Sequence, residues 1–85
     1  MYEREQALGK YMGLKKQIYE LGVRAQALVN DIQEETESFL SDKDFTSMDF
    51  SKVIVLANEL KTLQMSYQEK AAQFENIRAK YNFTD

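Results

Sequence analysis

Residues 53–81 read VIVLANELKTLQMSYQEKAAQFENIRAKY. The large side chains stand at Val53, Leu56, Leu60, Leu63, Tyr67, Phe74, Ile77 and Tyr81, in alternating steps of three and four that only Lys70 interrupts. That spacing lines one side of an α-helix, and a stripe of that length has to be covered. The first half of the chain repeats the rhythm at Ala7, Tyr11, Leu14, Ile18, Leu21, Ala25, Leu28, Ile32 and Phe39, with Glu35 as the one break. Together the stripes predict an all-α fold, an antiparallel two-helix hairpin with coiled-coil-like packing.

The register follows from the same positions. Setting Leu28 against Leu60 brings Ile32 to Leu56, Ala25 to Leu63, Leu21 to Tyr67, Leu14 to Phe74, Tyr11 to Ile77 and Ala7 to Tyr81. This pairing centres on Asp44, inside the polar stretch 40–45 where the rhythm stops. Helix 1 is expected over about 2–39, a loop over about 40–46, helix 2 over about 47–81 and a short tail over 82–85, all in one domain of residues 1–85. Thr46 reads as the N-cap of helix 2, with Asp49 reaching back to it and Phe45 and Phe50 in hydrophobic-staple positions. Asn82 suits the left-handed conformation of a C-terminal cap, after which Phe83 folds back on Ile77. Glu35 would face Val53 and Lys70 would face Ile18, each snorkelling from the edge of the seam.

Composition narrows the chemistry. The 85 residues contain no cysteine, histidine or proline and three glycines. Disulfides, thiolate nucleophiles, imidazole bases and the commonest zinc ligands are absent, and the lack of proline suits a nearly all-helical chain. Asp42-Lys43-Asp44 begins like a calcium loop, but Ser47 stands where that loop needs glycine and Val53 where it needs a bidentate glutamate. Glu34, Glu35 and Glu37 have no pocket to perturb them in a two-helix rod. The reading is therefore a non-enzyme with no metal or other cofactor.

The formal net charge is −3 with a pI near 4.9, which argues against a nucleic-acid partner and against an RNA-binding four-helix dimer. A charged N-terminus and the lack of a long apolar run argue against a signal peptide or membrane span, so the expected location is the cytoplasm, with export without a cleavable signal as the alternative. Tyr81 and Asp85, four places apart, resemble the export signal at the tail of the small helical hairpins carried by type VII secretion systems. Those hairpins have a Trp-x-Gly turn, whereas here the turn region reads Asp44-Phe45-Thr46-Ser47-Met48 and the chain has no tryptophan. The resemblance would imply a secreted or secretion-associated hairpin.

A second stripe lies beside the seam: Leu8, Met12, Tyr19, Gly22 and Val29 on helix 1, with Ile54, Ala57 and Ala71 on helix 2. The opposite flank is polar, with Lys10, Gln17, Arg24, Asp31, Ser38, Glu59, Ser66, Gln73 and Lys80. A hairpin of this size has a thin core, and covering the second stripe would deepen it. The expected partner is a second copy, giving a four-helix bundle, and beyond it another protein. Around the loop, Asp31, Glu34, Glu35, Glu37, Asp42, Asp44 and Asp49 stand against Lys43 alone, a net of −6, while residues 1–24 carry a net of +2. An antiparallel homodimer sets each acidic loop beside the other copy's basic open end. The acidic end also suggests a rival role, an inhibitor or mimic docking on a basic surface.

Overall fold

The structure is a computed structural model, and it describes residues 2–42, 46 and 48–83, apart from the side chains at 38, 39 and 42. Two helices, α1 (Tyr2–Asp42) and α2 (Phe50–Tyr81), pack against each other, and among the described residues there is no strand. They run antiparallel, as Arg4 beside Tyr81, Arg24 beside Glu59 and Glu35 beside Lys52 require. At a rise of about 1.5 Å per residue the 41 residues of α1 account for the long dimension of a rod measuring 62 × 19 × 15 Å.

The seam of α1 follows the expected stripe. Tyr11, Leu14 and Leu28 are buried, and Ala7, Ile18, Leu21, Ala25, Ile32 and Glu35 are half-buried. Phe39, placed at the end of that stripe, has a side chain outside the described residues. On α2 the half-buried positions include Val53, Leu56, Leu60, Leu63, Lys70, Phe74, Ile77 and Tyr81. Tyr67 departs from the expectation, being 45% exposed, while Ser66 and Ala71 are half-buried in its place. Tyr11 is buried in the same seam because Phe74 and Phe83 close over it, whereas the Tyr67 ring stands outward as a wall of two open clefts, and Ser66 and Ala71 beside it are half-buried.

The start of α2 also differs. The N-cap is Asp49, whose carboxylate accepts from the Lys52 amide at 3.0 Å while its carbonyl accepts from the Val53 amide at 3.1 Å. Thr46 therefore does not cap this helix, which begins at Phe50 rather than near Ser47. With the cap at Asp49, the staple positions shift to Met48 and Val53, both half-buried. Phe50, assigned to the staple from sequence, is 51% exposed, and Phe45 lies outside the described residues. Asp49→Ala is expected to cost about 1 kcal/mol, with Asp49→Asn retaining most of the stability. Urea titrations followed by circular dichroism check both.

The open end is closed by the chain's return. Asn82 adopts φ 55°, ψ 41°, the left-handed conformation expected of it. The amides of Asn82 and Phe83 both point at the Arg78 carbonyl, the latter at 3.0 Å, as in a Schellman-type stop. Phe83 is thereby carried back and buried. Its ring lies against Tyr11, with centroids 5.1 Å apart, and against Tyr81 at 5.7 Å, under the Arg4 guanidinium at 4.8 Å. Tyr11 stacks on Phe74 at 4.6 Å on its other side. The expected register sets Phe74 against Leu14 and Tyr11 against Ile77, so the aromatic contact at this end is displaced by one helical turn.

Candidate interaction face

Leu8, Met12, Tyr19, Val29 and Ile54 are 46, 54, 73, 45 and 59% exposed. Gly22 and Ala57 are exposed beside them, whereas Ala71 is half-buried, lining a second cleft with Ile18, Tyr67 and Phe74. Spacings of four and seven residues put Leu8, Met12 and Tyr19 on one side of α1. Sequence reasoning missed Val23, which is 55% exposed one turn on from Tyr19 and widens the stripe. The signal for it was the step of four from Tyr19.

Between the helices on this side runs an open groove of about 550 Å³. Leu21, Ala25, Leu60 and Leu63 line it, Lys61 and Gln64 stand on the α2 side, and Gly22 and Ala57 are its small residues. A Cβ added at Gly22 would meet no atom within 4 Å. The groove exists because small residues on both helices keep this side of the seam shallow.

The predicted polar flank carries a cross-helix ion pair, Arg24 Nη2 to Glu59 Oε2 at 2.7 Å, exposed enough to contribute little to stability. At the loop end the acidic residues have separate tasks. Asp49 caps α2, and half-buried Glu35 binds Lys52 Nζ at 2.7 Å. The hydrogen bond and charge of Glu35 raise the Lys52 pKa above its ordinary value, so any stability from this pair is present below pH 10.5 and fades as pH rises beyond it. Glu34 and Glu37 are exposed, while Asp44 and the Asp42 side chain fall outside the described residues.

Of the tail that resembles an export signal, Tyr81 is half-buried and its carbonyl accepts from Arg4 Nη1 at 2.7 Å. Thr84 and Asp85 lie outside the described residues. Among the described residues no group of three or more acidic side chains could hold a metal ion, and no buried side-chain polar atom lacks a partner. Among the described residues no helix is long and apolar enough to cross a membrane. Comparison of the chain with protein-family models, with curated proteins and with solved structures gives no match in any of the three.

Proposed function

We propose that the chain is a non-enzymatic interaction protein of the cytoplasm, a helical hairpin that works by presenting one face to other proteins and first to a second copy of itself. The observation that carries this reading is the row of large apolar side chains at Leu8, Met12, Tyr19, Val29 and Ile54, all exposed on a hairpin whose fully buried residues are few. Isolated apolar side chains on a surface need no explanation, but a contiguous stripe beside an apolar groove is how a docking surface is built. Charge favours a second copy in antiparallel orientation. The loop region from 31 to 49 has a net of −6 and residues 1–24 a net of +2, so parallel loops would repel across roughly the 8–10 Å over which charges act at moderate salt. The resulting assembly is a four-helix bundle with the second stripe as its inner layer.

The test separates folding from association. Met12→Lys with Ile54→Lys is expected to leave the helical circular dichroism signal near that of the wild-type chain while abolishing self-association in sedimentation velocity. Unchanged sedimentation of that variant would show that this face is not the one used.

A further inference from the structure

Resting on the self-association just proposed, we infer that the second copy docks in one register, with Tyr19 of each hairpin lying over Gly22 of the other. A two-fold axis perpendicular to the rod lays α1 on the α1 of the second copy, antiparallel, and α2 on its α2. Tyr19 is the most exposed of the large side chains in the stripe at 73%. Gly22, one turn away on the same helix, has open space above it and stands in the wall of the apolar groove. A large side chain beside a vacant position on a self-complementary face is satisfied twice by one rotation, because each tyrosine then covers the other copy's glycine.

The same rotation fixes the rest of α1. Met12 and Val29 are symmetric about the point midway between Tyr19 and Gly22, so they meet across the interface, and Arg4 and Glu37 are symmetric about it too. An apolar pair is thus flanked by opposite charges, Arg4 from the basic open end and Glu37 from the acidic loop end. Arg4 already gives one donor to the Tyr81 carbonyl, and a guanidinium has others to offer.

The chain has no cysteine, so introduced thiols report alone. With a short bismaleimide, Gly22→Cys, close to the axis, is expected to cross-link to its own copy at least tenfold faster than Met12→Cys, whose two copies would lie about 25 Å apart at 1.5 Å per residue. Met12→Cys mixed with Val29→Cys should cross-link as a heterodimer. Gly22→Leu, whose Cβ meets no atom within 4 Å, should retain helicity and raise the dimer dissociation constant tenfold or more. A dimer in which Met12→Cys cross-links to itself as fast as Gly22→Cys, or in which Gly22→Leu associates like the wild type, overturns the register and leaves self-association standing. A monomeric wild-type chain overturns both.

Discussion

Tyr11→Ala is expected to lower the unfolding free energy by about 3–5 kcal/mol, the range for removing a large buried ring. Tyr11 is 2% exposed and lies between Phe74 at 4.6 Å and Phe83 at 5.1 Å. Deleting the ring leaves a cavity that neither neighbour can close, because Phe74 is fixed on α2 and Phe83 is held by the backbone stop at Arg78. For a domain of this size such a loss approaches the whole stability. Tyr11→Phe preserves the stacked volume and should retain most of it. Thermal and urea denaturation of the pair decides the matter, since a wild-type-like Tyr11→Ala would mean that the aromatic end does not hold the hairpin closed.

The centre of the rod gives the second large effect. Leu28 is 1% exposed, so Leu28→Ala should cost about 2–5 kcal/mol. Leu60→Ala should cost less, because Leu60 is only half-buried beside the groove. Gln17→Ala, on the exposed polar flank, should stay within about 0.5 kcal/mol. Melts that ranked Gln17→Ala above Leu28→Ala would contradict the seam.

Much of this was legible in the sequence because two stripes of helical period had to meet. From Ala7 to Ile32 the residues expected inside α1 are the ones covered, and even the break at Glu35 finds its explanation in Lys52. The start of α2 was harder, since Thr46 and Asp49 are both good caps and the choice rests on tertiary packing. The helix that must deliver Val53 to the seam is capped by Asp49, with Met48 at the preceding position. Tyr67 departs from the stripe because period alone does not say whether neighbours close over a ring: Phe74 and Phe83 cover Tyr11, whereas Tyr67 borders two open clefts. The displaced contact at Tyr11 has a comparable origin. A constant-sum register resolves opposition only to within a turn, and Phe83, returning beyond the helix end, takes one side of the tyrosine. The candidate face was legible as a stripe, but the groove beside it depends on how far Tyr67 leans out, and the sequence pattern does not carry that.

The most direct measurement is the solution mass of the wild-type chain by light scattering across micromolar concentrations at moderate salt. A hairpin whose exposed stripe is covered by a second copy should show twice the 9.9 kDa chain mass and shift toward the single-chain mass on dilution. A constant mass of 9.9 kDa over the whole range would contradict the account.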